Sequence, residues 1–209
     1  MDEKTLNDIS DATLEAIDGQ LYKEPPLQLT RNDIGKEIKG QGIYLGMYEP
    51  VDRAGVALKK VFNVFAAPQD LTDISGKKKT FRYVDAVKRV SDLKGFYGHN
   101  GENYATDRKL YSALRNNTYK GGWIIPTRHI LSSRNINGKD VMPDNLFTCK
   151  DRGSFAGAFA TRASRGSNHP AWYWSCSEDR GNPSFMLVVR LADGNGGARR
   201  KDDCRLSCR

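Results

Sequence analysis

The period of apolar and polar positions changes several times along this 209-residue chain. Leu6, Ile9, Thr13, Ala16 and Ile17 recur at helical spacing after Thr5, and Pro25-Pro26 ends the pattern because proline cannot continue a helix and restricts the residue before it. The spacing predicts one amphipathic helix over residues 6–22, within an N-terminal segment, residues 1–40, that ends in a Pro-containing linker. From Gly42 onward Ile43, Leu45 and Met47 alternate with Tyr44, Gly46 and Tyr48, a half-buried strand ended by Glu49-Pro50, and a second strand over residues 60–65 is closed by Pro68. Tyr83, Ala86, Val87, Val90 and Leu93 share one side of a helix over 80–93, stopped by Gly95. A shorter helix over 107–114 points Leu110, Tyr111 and Leu114 inward.

Beyond Arg134 the chain is loop-rich, with isolated aromatics (Phe147, Phe155, Phe159) and then Trp172-Tyr173-Trp174, a stretch that packing rather than propensity must order. Residues 185–191 read as the last clear strand, with Val189 and Leu191 on one face and Arg190 and Ala192 on the other. Asp193-Gly194 marks a turn, and Arg205-Leu206-Ser207-Cys208 is expected to return as the partner strand. Two early strands, two helices, long irregular loops and a C-terminal hairpin describe an α+β domain over residues 41–209.

Charge refines this picture only slightly. Lys and Arg number 33 against 25 Asp and Glu, a net +8, but residues 1–40 hold nine acids and five bases, so the rest of the chain carries +12. That balance speaks to steering and solubility, and leaves nucleic acid, anionic glycan or no partner at all open. The longest apolar run is the five residues Phe185-Met186-Leu187-Val188-Val189, where a bilayer span needs about 20. No membrane span is expected. The start Met-Asp-Glu-Lys does not read as a secretory signal, so the chain is expected in the cytoplasm, on a phage particle or exported by another route, with Cys149, Cys176, Cys204 and Cys208 reduced.

Catalytic signatures are mostly absent. Gly153-Ser154-Phe155-Ala156-Gly157 has its serine one place too early for a nucleophile elbow, and Gly194-Asn195-Gly196-Gly197 lacks the third glycine and following helix of a dinucleotide fingerprint. His99, His129 and His169 are scattered without metal-ligand spacing, and Cys204 and Cys208 have no second pair to complete a zinc site. Cys176 with His169 stays open as a nucleophile pair; Glu102, Asp107 and Glu178 have no spacing that sets two carboxylates across one substrate. The basic runs Lys77-Lys78-Lys79 and Arg199-Arg200-Lys201 sit in no nucleic-acid-binding pattern, so that partner is disfavoured. Near the C-terminus Trp172, Tyr173, Trp174, Arg180, Arg190, Arg199 and Arg200 combine the residue types of recognition hot spots, with at least one tryptophan expected in the core.

Three segments, in order, resemble a bacterial family with the C-type-lectin-like fold, the branch that includes formylglycine-generating-enzyme-type domains. Gly121-Gly122-Trp123-Ile124-Ile125-Pro126-Thr127 resembles the family's GGWRLPT, Trp172-Tyr173-Trp174-Ser175-Cys176-Ser177-Glu178 its YWSSTE, and Arg205-Leu206-Ser207-Cys208-Arg209 its closing VRCVR. The stretch from Trp172 through Asn182-Pro183-Ser184 and Asp193-Gly194 to Arg209 is similar to the C-terminal variable region of proteins diversified by retroelements. In those proteins a reverse transcriptase rewrites a C-terminal cassette displayed on a rigid scaffold. The resemblance implies a non-enzymatic protein that binds a protein or glycan through a variable face comprising Trp172, Tyr173, Arg180, Phe185, Leu187, Arg190, Ala192, Gly196, Gly197, Arg199, Arg200, Asp203 and Cys204. It assigns Trp123, Pro126, Trp174, Val189, Leu191, Leu206 and Cys208 to the scaffold. No cofactor or metal is expected; the triplets that hold calcium in animal lectins are missing, and Asn182-Pro183-Ser184 lacks a carboxylate. The N-terminal helix packs on the main domain, joins a second copy or docks on a carrier. Two alternatives remain: a formylglycine-generating-type enzyme with a cysteine-based site, and a basic glycan- or nucleic-acid-binding protein.

Overall fold

The computed structural model describes residues 28–52, 56–77, 80–93, 105–119, 122–132, 142–159 and 171–202. The chain divides into two units, Met1–Thr30 and Arg31–Arg209; the helix expected over residues 6–22 lies outside the described residues. In the second unit a 3-10 turn, Arg31–Asp33, precedes β1 (Glu37–Ile38), β2 (Gly42–Tyr48) and β3 (Phe62–Ala66). Four helices follow among the described residues: α1 (Tyr83–Ser91), α2 (Asp107–Arg115), α3 (Arg128–Leu131) and α4 (Leu146–Cys149). A second 3-10 turn, Gly153–Phe155, leads to β4 (Trp172–Glu178), β5 (Phe185–Arg190) and β6 (Gly196–Arg200). The strands form two antiparallel sheets, ordered β1-β2-β3 and β4-β5-β6, so the unit is of mixed α+β class.

In β2 the simple alternation fails. Ile43, Tyr44 and Leu45 are all buried, whereas Met47 is 60% exposed and Tyr48 only 5%. A bulge between Tyr44 and Gly46 shifts the pairing with β3, and Gly46 supplies the positive φ of 128° that such a kink requires. One extra residue exchanges the two faces beyond it, which turns Met47 outward and Tyr48 inward. Within residues 1–40, read from sequence as a helix and linker, residues 35–38 bond along this sheet: the Gly35 amide donates to the Tyr44 carbonyl and the Tyr44 amide to the Lys36 carbonyl, each at 2.9 Å. A two-residue strand carries no detectable period.

The longer helices keep the register their sequences predict. Tyr83, Ala86 and Val90 are buried in α1, and Leu110, Ala113 and Leu114 in α2, which starts where the Thr106 side chain accepts the Lys109 amide. Tyr111, expected inward, is only half-buried and donates its hydroxyl to the Val56 carbonyl. Neither α3 nor α4 is legible in the sequence, because one helical turn shows no period. Each is held by its cap: Thr127 accepts the Ile130 amide, and Asn145 and Thr148 cap α4 reciprocally.

Trp172-Tyr173-Trp174 belong to a strand rather than a loop. In β4 every residue from Tyr173 to Ser177 is buried, so no alternation marks it. Its partner β5 also pairs with β6 at Gly196–Arg200; the Arg205-to-Cys208 segment, expected as the returning strand, lies outside the described residues. The main apolar cluster brings Trp174, Cys176, Met186 and Val188 against α1 and α2. There the Trp174 indole N–H donates to the Phe81 carbonyl at 2.7 Å and the Tyr83 ring stands edge-on at 5.5 Å. The Tyr173 hydroxyl donates to Asp70 at 3.0 Å, beside Phe159.

Trp174→Phe removes the indole donor, leaves the buried Phe81 carbonyl unsatisfied and opens a void. The expected loss is about 2–4 kcal/mol, read as a lower urea midpoint at unchanged m-value.

Candidate functional site

The turn between β5 and β6 is built by one carboxylate. Asp193 accepts two bonds from the Arg190 guanidinium, one of them from Nε at 2.7 Å, and also the amide and side-chain nitrogens of Asn195 at 3.1 and 2.8 Å. These bonds, that from Arg190 first, pull the Asp193 carboxyl down to about 2. Gly194 completes the turn with a φ of 71°, and a Cβ there would lie 3.0 Å from the Phe147 ring. The turn sets the register of β6, so that Arg199 lies opposite Met186 and Gly197 opposite Val188, while Trp172 of β4 lies opposite Arg190.

A cluster results at the start of β4. The Arg190 and Arg199 guanidinium carbons each lie 5.4 Å from the Trp172 ring centroid. A Cβ at Gly197 would be 3.7 Å from the indole, so the ring lies over the glycine backbone. Each such cation–π contact contributes about 0.5–1 kcal/mol at an exposed site. Arg190 is held by Asp193, which raises its own affinity for a proton, and acts as a positioning group. Arg199 is exposed and donates to the Ala198 carbonyl at 2.9 Å. Arg200 is exposed too, 3.7 Å from Asp202, a pair too solvated to contribute much.

The structure thus brings Trp172, Arg190, Gly197 and Arg199 together and exposes Ala192, Gly196 and Arg200 nearby. Phe185 and Leu187 are half-buried. Tyr173 requires correction: at 0% exposure, with its hydroxyl on Asp70, it faces the interior and presents nothing to a ligand, because the strand is covered on both sides. Trp174, Val189, Leu191 and Pro126 are buried, and Trp123 packs partly buried against the main cluster. Asp203, Cys204, Leu206 and Cys208 lie outside the described residues.

Arg180 and Leu187 go elsewhere. They line a cavity of about 430 Å³ at the opposite end of β4, bounded also by Tyr48, Thr127 and His129. Burial, opposed in part by a hydrogen bond with Thr127, holds the Tyr48 phenol protonated far above its ordinary range. Burial, with Arg128 beside it, lowers His129 to about 4, so its imidazole is neutral at pH 7. Its Nδ1 is buried without a hydrogen-bond partner. No local spacing in the sequence links these residues, which come from β2, the start of α3, the loop after β4 and β5.

Among the described residues no group of three or more His, Cys, Asp or Glu is placed to hold a metal ion, and no helix is long and apolar enough to cross a membrane. Cys149 and Cys176 are buried thiols, and burial pushes Cys149 up. No family model, no curated protein and no solved structure matches the chain.

His129 predicts a pH effect on stability. Its folded pKa of about 4 lies below the unfolded value of 6.5, so between these pH values only the unfolded chain takes up the proton. Stability should be intact above about pH 6.5 and fall as pH drops toward 4, by up to about 1.4 kcal/mol per unit. His129→Gln should flatten that slope in urea titrations at pH 7, 6, 5 and 4.5. The Asp193 contribution, from a depressed carboxyl, is lost only at lower pH, as the medium passes from about 4 to about 2.

Proposed function

We propose that the chain is a non-enzymatic ligand-binding protein: a C-type-lectin-like scaffold presenting a variable C-terminal face to a protein or glycan, with that face diversified by a retroelement as in the family its motifs resemble. The observation that carries this reading is the division of roles in the β5–β6 hairpin. Met186, Val188 and Val189 are buried, whereas Ala192, Gly196, Arg199 and Arg200 are exposed and no residue of β6 is buried. Side chains at the exposed positions are exchangeable without disturbing the core, which is what a diversified surface on a rigid body requires.

Two further observations support it. Trp172 beside Arg190 and Arg199 supplies the aromatic-and-arginine chemistry of binding hot spots. The Pro126 carbonyl accepts the Cys176 amide at 2.8 Å, so two of the three motif segments are neighbours in space, as parts of one scaffold would be. An enzyme built on Cys149 or Cys176 gains no support, since a nucleophilic thiolate needs exposure and a lowered pKa. The N-terminal segment is assigned to assembly with a second copy or attachment to a carrier.

Sequencing this gene across a clonal population tests diversification: substitutions are expected to be confined to codons between Trp174 and Arg205, with an adenine-rich near-copy and a reverse transcriptase gene in the flanking DNA. An invariant 3′ end would remove the retroelement from the reading. At the protein level, Arg199→Ala with Arg200→Ala should lower the unfolding free energy by no more than about 1 kcal/mol, the cation–π contact of Arg199 included. The same variant should lose binding to a ligand selected on the parent protein, and unfolding of the variant would sink the assignment of these residues to a displayed face.

A further inference from the structure

We propose that the outer edge of β6 takes up an extended acidic segment of a partner protein by strand addition, an inference that rests on the reading of the β5–β6 hairpin as the binding face and names the partner that face fits. The register supplies the first argument. The Arg190 amide donates to the Asn195 carbonyl at 2.8 Å and the Lys201 amide to the Ser184 carbonyl at 3.1 Å, and the pairs Val188 with Gly197 and Met186 with Arg199 fall in step with these two. Bonded and unbonded pairs alternate in an antiparallel ladder, so Gly197 and Arg199 bond inward to β5 while Gly196, Ala198 and Arg200 direct their N–H and C=O groups outward. β6 ends its sheet, and among the described residues no backbone group pairs with Gly196 or Ala198 on that outer side. Such a row of outward amides and carbonyls is the template that strand addition uses. It is also unobstructed, because Gly196 and Gly197 carry no side chains and no residue of β6 is buried.

Charge selects the strand. Arg199 is exposed, has no carboxylate partner among the described residues, and folds back along the edge, where its Nη1 donates to the Ala198 carbonyl at 2.9 Å. The guanidinium therefore stands beside the outward backbone, where a side chain of an added neighbour would come, and the Trp172 ring, 5.4 Å from it, helps to hold it there. An added strand meets the Ala198 carbonyl with its own N–H and offers the guanidinium a carboxylate, a charge-assisted pair. Arg200 adds positive charge on the other face, offset in part by Asp202 at 3.7 Å, so the preference for acid is carried by Arg199. A second copy is the poorer occupant, since edge-to-edge pairing sets one arginine-bearing strand against another. An acidic glycan meets the arginine but has no regular row of N–H and C=O groups to match the one beside it. The backbone edge is the same whatever side chains β6 carries, and residue 199 sets the charge that it favours.

The test is calorimetric titration of the full chain with a short blocked peptide alternating Thr and Glu, its counterpart with Lys for Glu, two derivatives N-methylated at every Thr or at every Glu, and oligogalacturonate. Alternate amides of a strand face the same neighbour, so one methylated form keeps its hydrogen bonds to β6 and the other loses them. The acidic peptide is expected to bind and the lysine peptide not, and the two methylated forms should differ at least about tenfold. Arg199→Gln should weaken the acidic peptide by at least about tenfold. Ala198→Pro, which removes an outward N–H at an edge position where proline is tolerated, should do the same with an unchanged thermal transition; if that variant fails to fold, the methylated pair decides. No binding of the acidic peptide up to about 10 mM, equal affinities of the two methylated forms, binding of oligogalacturonate in the peptide's place, or a concentration-dependent dimer lost in Ala198→Pro would each overturn the proposal. If a ligand selected on the parent protein needs Arg199 and Arg200 while the peptide fails to bind, the displayed face stands and strand addition alone falls.

Discussion

A strand without a solvent face is the constraint that the rest of the described body answers to. From Tyr173 to Ser177 β4 is buried throughout, so layers must cover it on both sides and each of its polar groups must find a partner inside. The partners come from far along the chain: Phe81 for the Trp174 indole, Asp70 for the Tyr173 hydroxyl, Pro126 for the Cys176 amide and Leu187 for the Ser175 hydroxyl. Each such bond is worth only about 1 kcal/mol net, yet leaving one unmade in the interior costs about 1–3 kcal/mol. That asymmetry makes the arrangement specific. The segments carrying Asp70, Phe81, Pro126 and Leu187 are tied to one strand, and so to one another.

The ends of β4 leave this interior, and both candidate sites lie there. At its start Trp172 emerges half-buried and the β5–β6 turn carries two arginines to it; at its finish Glu178 leads into the cavity shared with α2 and α3. The two places differ in kind. The first sets the exposed arginines of β6, an edge strand with no buried residue, beside a Trp172 that packs partly on the main apolar cluster, so the β6 positions suit change. The second is concave and assembled from segments that also carry the fold, with Leu110 and Leu114 of its lining also in the main apolar cluster, so its composition is tied to stability.

Much of the α+β outline was legible in the chain. The helical period of Tyr83, Ala86 and Val90 and of Leu110 and Leu114 locates α1 and α2, and Asp193-Gly194 marks the turn after β5. Besides the two-residue β1, two strands escaped such reading for opposite reasons. In β4 burial on both faces erases the alternation, and Gly-Gly-Ala-Arg-Arg in β6 has none, being a strand only because the Asp193 turn returns it along β5. A single bulge at Gly46 reversed the faces of Met47 and Tyr48, which no count of apolar positions anticipates.

Of the candidate site, the sequence by itself determined the residue types, tryptophan among arginines near the C-terminus, and the turn that brings them close. Only the tertiary structure decided which of them face outward and which partner each meets. Tyr173 and Trp172 are adjacent in sequence and alike in chemistry, yet one bonds to Asp70 in the interior and the other lies beside two guanidinium groups. The physical reason is that local periodicity reports how a segment would bury one face against something, whereas the identity of that something is set by long-range hydrogen bonds and packing. The cavity around His129 is the limiting case, since it exists only where four distant segments meet.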